Sequence, residues 1–155
     1  MTRHVLPILL VAAGIALAHA GCSSLGTPAS DPHSTPSPKY VGLWSLVSIE
    51  GVETAPILGD ATPPTLEIVS DGQVTGFTGV NRMSSRFDPG ASRRSEPLFG
   101  PIMSTKMGGP EHLMAVESLL TSALRDTRAS SIESRMLVLR AADGRELARF
   151  APTAP

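Results

Sequence analysis

Four histidines, one cysteine and a short glycine-rich loop hold most of the reactive chemistry this sequence offers. A hydrolytic triad needs a histidine base within hydrogen-bond reach of a nucleophile and oriented by a third group. His4 and His19 lie in an apolar N-terminal stretch and His33 in a Pro/Ser/Thr-rich segment, which leaves His112 alone in the body of the chain. No nucleophile motif accompanies it, so a non-enzymatic protein is expected. Metal binding has as little to work with: one imidazole, no thiol, and carboxylates such as Asp71 and Asp143 that belong to turn signals. No metal and no cofactor are expected. Gly108 and Gly109 precede a helical pattern and would suit a phosphate at a helix N-terminus, but no Gly-Lys-Ser/Thr follows and they read as a loop. Met103, Met107 and Met114 flank them and suit an adaptable apolar pocket or, more simply, core filling.

The segment Gly76-Phe77-Thr78-Gly79-Val80-Asn81-Arg82 is the most specific candidate. Gly76 and Gly79 permit close backbone approach or positive φ, and Asn81 can hydrogen-bond backbone in a turn. Arg82 presents a planar donor fork suited to an anion or carboxylate. The simpler reading is a structural clasp with Arg82 paired internally, and it is the one expected. The pair Arg93-Arg94 sits between Ser92 and Ser95 and reads as a solvated loop; two charges are too few for a polybasic membrane anchor.

The single cysteine, Cys22, follows an apolar run from Val5 to Ala18, with Arg3 ahead of it. Fourteen residues are too short to cross a hydrocarbon core of ~30 Å as a helix but suit the apolar region of an export signal. The sequence Ala20-Gly21-Cys22-Ser23 resembles the lipobox of bacterial lipoproteins, in which the thiol is acylated with diacylglycerol and cleavage leaves it as the first residue. His19 stands where that motif usually has leucine. The rival is an ordinary peptidase site at Ala18-His19-Ala20, which would release a soluble secreted protein. Residues 1–21 are thus expected to be a signal peptide, and 22–39 a lipidated cysteine with a disordered tether. Between Ser23 and Lys39 there are four prolines, seven Ser/Thr and only Leu25 as a large aliphatic residue. The expected location is the extracytoplasmic face of a cell membrane, held by lipid.

Charge excludes one further class. Thirteen basic side chains face fourteen acidic ones, and removing Arg3 with the signal leaves twelve against fourteen. Nucleic-acid binders carry a basic patch or stripe, so no nucleic acid is expected. A monomer is expected, with an envelope protein as its partner.

The elements that would position these residues are mostly strands. Leu43 to Ile49 alternates with Trp44 and Leu46 on one face, and Leu66–Val69 is followed by Ser70-Asp71-Gly72 and Gln73-Val74-Thr75 as a hairpin. Further strands are expected at Glu96–Phe99, Ile102–Lys106 and Ser131–Glu133. A hairpin pairs Met136–Leu139 with Glu146–Phe150 across Asp143-Gly144. Leu113, Val116, Leu120 and Leu124, joined by Leu119 and Ala123, recur at helical spacing and predict a helix over 110–125. The fold class is therefore mainly β: an antiparallel sheet curled into a small barrel with one packed helix, spanning 40–151, and a flexible tail at 152–155.

Two short motifs carry a wider resemblance. Gly76-Phe77-Thr78-Gly79-Val80-Asn81-Arg82 resembles the G-x-x-G-C-N-R signature of the META/HslJ-like family, and Thr105-Lys106-Met107-Gly108-Gly109 resembles its second signature, T-[RK]-M-x-C, ahead of a helix. Val80 and Gly109 occupy the positions of the family's two cysteines. Joint loss of both is what contact between the two positions implies. The resemblance covers nearly all of Leu43 to Phe150 and implies a β-rich domain of bacterial envelope lipoproteins and secreted proteins. Its members are associated with heat-shock induction and novobiocin resistance, without an established enzymatic activity. It makes Gly76, Gly79, Asn81, Arg82, Thr105, Lys106 and Met107 the family-motif residues, in a structural role. An envelope protein working through protein contacts, in envelope maintenance or stress and antibiotic tolerance, is the first function class. A binder of a small hydrophobic molecule inside the curled sheet is the second, distinguished by whether large side chains fill that interior.

Overall fold

The structure, a computed structural model, describes residues 35–153. The expected signal peptide, Cys22 and most of the tether lie outside these residues.

Alternation of apolar and polar residues sets the first strand, β1 (Gly42–Ile49), in which Trp44 and Leu46 are buried while Leu43 faces outward. The chain then forms β2 (Val52–Glu53), a single helical turn α1 (Ala55–Leu58), β3 (Thr65–Ile68), β4 (Gln73–Phe77), β5 (Arg82–Arg86) and β6 (Met103–Ser104). Helix α2 (Glu111–Asp126) follows, and β7 (Ala129–Glu133), β8 (Met136–Arg140) and β9 (Glu146–Pro152) complete the fold. All strand pairs are antiparallel, in the order β6-β5-β4-β3-β1-β9-β8-β7, with β2 folded back on β1. Both expected hairpins form. Asp71 Oδ1 accepts from the Gln73 N–H at 2.8 Å and Asp143 Oδ1 from the Arg145 N–H at 2.9 Å, with Gly72 and Gly144 at φ 87° and 86° supplying the left-handed turn residue.

The sheet is curled but not closed, which corrects the expected barrel. The edge strands β6 and β7 do not pair. A strap takes the place of that pairing: the Asp88 N–H donates to Leu98 O (2.8 Å), the Gly100 N–H to Arg86 O (2.8 Å) and the Leu98 N–H to Thr127 O (3.0 Å). Thus the stretch expected as a strand at Glu96–Phe99 is a single bridge, Phe87 to Phe99, with coil around it. Pro97 and Pro101 lack the N–H groups that a continuous ladder would require. The short strand expected at Ile102–Lys106 is confined to Met103–Ser104.

Helix α2 covers the inner face. Val116, Leu120, Ala123 and Leu124 are buried, but Leu119 is 47% exposed and does not belong to the stripe. At about 100° per residue, Leu119 is turned well away from Leu120, whereas Leu113, Leu120 and Leu124 share one line. Thr127 ends the helix, its hydroxyl donating to Ala123 O at 2.7 Å. The helical content also exceeds one helix, because α1 buries Leu58 and two 3-10 turns form at Pro38–Tyr40 and Pro89–Arg94.

The space between sheet and helix is filled by side chains. Phe87, Phe150, Leu66, Ile68, Leu98, Leu120, Leu137 and Leu139 are each at most 1% exposed. That is the filled interior which separates the two function classes, and it disfavours a ligand held inside the sheet.

Both ends of the domain are longer than expected. Pro36 is buried, its ring beside Gly72, and Tyr40 is 5% exposed with its hydroxyl donating to Ser130 O at 3.1 Å and its ring edge-on to Phe87 at 5.3 Å. Pro36 and Tyr40 therefore anchor the start of the domain, while Ser37, Pro38 and Lys39 between them stay exposed. At the other end Pro152 pairs with Trp44 and the Thr153 N–H donates to Leu43 O at 2.8 Å, which removes 152 and 153 from the tail.

Leu120 lies at the centre of the interface between helix and sheet with no exposed surface. Leu120→Ala should lower the unfolding free energy by about 2–5 kcal/mol in urea titration. A loss below about 0.5 kcal/mol would mean that α2 does not carry the core.

Candidate functional site

The loop between β4 and β5 is built around one buried amide. Gly76 lies within β4 where a side chain would strike the Thr65 carbonyl oxygen, so the close approach of β3 and β4 requires glycine there. Gly79 has φ 114°, which a residue with a Cβ resists. The loop is pinned by the Thr78 N–H donating to Asn81 O at 2.8 Å.

Asn81 is 2% exposed and every polar atom of its side chain is used. Its Nδ2 donates to Glu117 Oε1 at 2.9 Å and to Met107 O at 3.1 Å. Its Oδ1 accepts from the Met107 N–H and from the Thr105 hydroxyl, both at 2.7 Å. The Thr105 hydroxyl in turn accepts from the Arg82 N–H at 3.2 Å, and the Thr105 N–H donates to Arg82 O at 3.0 Å. Three parts of the chain meet here: the β4–β5 loop, the segment before α2, and α2 itself.

Glu117 is the residue that sequence reasoning missed. Its carboxylate accepts from the Asn81 backbone N–H at 3.0 Å, the Asn81 amide at 2.9 Å and the Thr78 hydroxyl at 2.6 Å. These donors are neutral, and hydrogen bonds to an ionised acceptor are the stronger kind. The Thr78 hydroxyl also lies 2.9 Å from Asn81 O, but it has one proton and the shorter, charge-assisted contact takes it. A signal was present: Glu117 is four residues after Leu113 and three before Leu120, a carboxylate at the rim of the apolar stripe.

The motif residues thus divide. Gly76, Gly79, Asn81 and Thr105 hold the clasp. Met107 contributes its backbone N–H and C=O while its side chain is 62% exposed, and Lys106 is exposed. Arg82 departs from expectation. It was expected to pair internally, but strand alternation turns it to the outer face, opposite to buried Met83. Among the described residues its guanidinium makes no ion pair or hydrogen bond. Met103, 67% exposed, and Met107 line no interior pocket. His112 is exposed in the first turn of α2.

Arg93 and Arg94 end a 3-10 turn rather than a plain polar loop. The Asp88 carboxylate accepts from the Gly90 N–H at its start, and Arg94 pairs with Asp88 at 2.8 Å and Glu96 at 2.7 Å. On the far strands Arg140 and Ser131 bond Glu133 and hold its carboxyl down to about 2. Among the described residues no three His, Cys, Asp or Glu side chains converge as a metal site would require.

Val80 and Gly109 are in contact across 29 positions of sequence. A Cβ placed on Gly109 would lie 2.8 and 2.9 Å from the two Val80 methyls and 3.5 Å from its Cβ. Gly109 lies outside the left-handed region, so glycine is there for space, not conformation.

The META domain family model matches residues 40–154. No curated protein matches the sequence. Among solved structures, a protein from Burkholderia xenovorans determined by NMR is 17% identical at a TM-score of 0.55, over 97% of this chain and 100% of that one. A second NMR structure is 16% identical at 0.56, over 76% and 95%. A DUF4847 family protein from Bacteroides vulgatus is 14% identical at 0.50, over 74% and 94%. At these identities the likeness is one of fold.

Two outcomes test the clasp. Asn81→Ala should cost about 2–4 kcal/mol, because it strips partners from Glu117 and Thr105 as well as its own bonds. Asn81→Asp, of nearly the same volume, should also destabilise, since a second carboxylate would face Glu117; a neutral result in urea titration would refute the hub. Separately, Val80→Cys with Gly109→Cys, in a Cys22→Ala background, should oxidise within one chain. The 3.5 Å Cβ separation fits a disulfide, whose Cβ atoms sit ~3.5–4.5 Å apart. Failure to oxidise, read by intact mass, would contradict this contact.

Proposed function

The chain belongs to the META domain family, and from that premise we propose that it is a non-enzymatic cell-envelope lipoprotein, held at the membrane by lipid on Cys22 and working through protein contacts in envelope maintenance or in tolerance of stress and antibiotics. The observation that carries this reading is the position of Cys22: it is the only cysteine, and it directly follows the apolar stretch and small residues of an export signal. A diacylglycerol group supplies two acyl chains, and two are what stable anchoring requires. Among the described residues no helix is long and apolar enough to cross a membrane.

Thirteen residues separate Cys22 from Pro36, where the domain begins. Fully extended, they reach at most about 45 Å, so the domain would work close to the bilayer. The filled interior supports surface contacts over storage of a small molecule inside the sheet. It favours the first function class over the second.

In an exporting bacterial host, Cys22→Ala should move the protein from the membrane fraction to the soluble one. The mass of the wild-type protein should show an acylated Cys22 at its N-terminus. An unmodified chain beginning at Gly21 would overturn lipidation and favour a secreted protein.

A further inference from the structure

Outward-facing residues of β1, β3, β4 and β5 form two rows across the sheet. Register sets Leu43 beside Glu67 and Glu67 beside Thr75; the next row runs Thr65, Phe77, Arg82. Between them lies a groove of about 430 Å³, lined by the outward side chains of Leu43, Phe77, Thr65, Thr75 and Glu67, with Gly76 at its floor and Arg82 in its wall. Ligand sites commonly measure ~300–1,000 Å³.

Among the described residues the guanidinium of Arg82, like those of Arg93, Arg125 and Arg135, meets no side-chain or carbonyl oxygen, but of these only Arg82 lines this groove. Arg86 donates to Asp71 O, Arg94 pairs with Asp88 and Glu96, and Arg140, Arg145 and Arg149 pair with Glu133, Glu50 and Glu146. Among the described residues the Arg82 guanidinium has no such oxygen. Its backbone is nonetheless fixed on both sides, by the Phe77 ladder and by Thr105. A fixed base, an unengaged fork of donors and a flanking aromatic ring together match a planar anion with an apolar body. Guanidinium binds carboxylate in a bidentate manner that an ammonium cannot reproduce.

Glu67 shares the groove and would repel an anion. Its Cα lies two strands and two residues from that of Arg82, roughly 12 Å by strand spacing and rise. That spacing is between backbones; at the guanidinium end of the groove salt weakens the repulsion without removing it. The Glu67 carboxylate is also occupied, accepting from the Thr75 hydroxyl at 3.3 Å.

We propose that this groove binds amphipathic carboxylates, with the carboxylate on Arg82 and the apolar body along Phe77 and Leu43. The proposal goes beyond lipid anchoring and does not depend on it. A free fatty acid and the C-terminal carboxylate of an apolar peptide share this chemistry.

The test is an NMR titration of the whole chain carrying Cys22→Ala, so that no acyl group of its own competes. Sodium laurate, N-acetyl-leucyl-leucine, dodecyltrimethylammonium and acetate serve as probes, and the Arg82 Nε–H and Phe77 amide signals as readouts. Laurate should give saturable shifts at both, with sub-millimolar affinity. Arg82→Gln should weaken laurate at least about tenfold, as loss of a hydrogen-bonded charged partner does. The variant keeps the backbone bonds to Thr105, and a dispersed spectrum verifies its fold. Comparable binding of N-acetyl-leucyl-leucine would support a peptide terminus as the source of the carboxylate, and preference for laurate a fatty acid. Equal binding of laurate and dodecyltrimethylammonium, equal binding of laurate and acetate, an unchanged affinity in Arg82→Gln, or no saturable shift would each overturn the proposal.

Discussion

The buried contact between Asn81 and Glu117 is the constraint on which the rest of this domain depends. One side chain comes from the tight loop joining two strands and the other from the middle of the helix. Between them passes the segment that leads from the sheet edge into that helix, bonded to Asn81 through Thr105 and Met107. An amide suits the position because it donates to the carboxylate while accepting from a hydroxyl and a backbone N–H. Asn carries two N–H donors and a carbonyl acceptor on one short side chain, where Thr of similar size has a single donor. The apolar contact of Val80 with Gly109 lies next to it, so polar and apolar complementarity fix the same junction.

This junction matters because the sheet does not close. A closed barrel would hold its edges by hydrogen bonding. Here the helix fills the inner face, the strap at Leu98–Gly100 spans one end, and the clasp holds the helix to the β4–β5 loop. With Phe87, Phe150 and the leucines packed beneath, the inner face is committed to stability. In the proposed reading, recognition falls to the outer surface.

Asn81 and Arg82 show how closely those two tasks are set together. They are adjacent in sequence, yet the pleat points one into the clasp and the other into the outer groove. A change at the clasp would therefore shift the strand that carries the outward guanidinium. The structural half of the motif positions the half that is free to bind.

The sequence by itself determined the elements with strong local periodicity: the first strand, both Asp-Gly-type hairpins and the helix from about Pro110. It also supplied the family motifs and, through the paired absence of two cysteines, the contact of Val80 with Gly109. What it left open depended on distant partners. Leu119 looked like core because spacing defines a stripe only to within one position, and packing against the sheet chose its limits. Glu96–Phe99 read as a strand because apolar residues occur there, but Pro97 within it and Pro101 just beyond it leave too few N–H groups for a ladder. Glu117 stood at the rim of the apolar stripe, but a carboxylate there is ordinarily solvated, and only the folded chain brings three donors to it. Likewise the sequence marked Arg82, but which way its side chain faces, and that no carboxylate among the described residues meets it, were decided by strand register. Local propensity is written in neighbouring residues; satisfaction of a buried charge or exposure of a free one depends on which parts of the chain meet, and that only the tertiary structure decides.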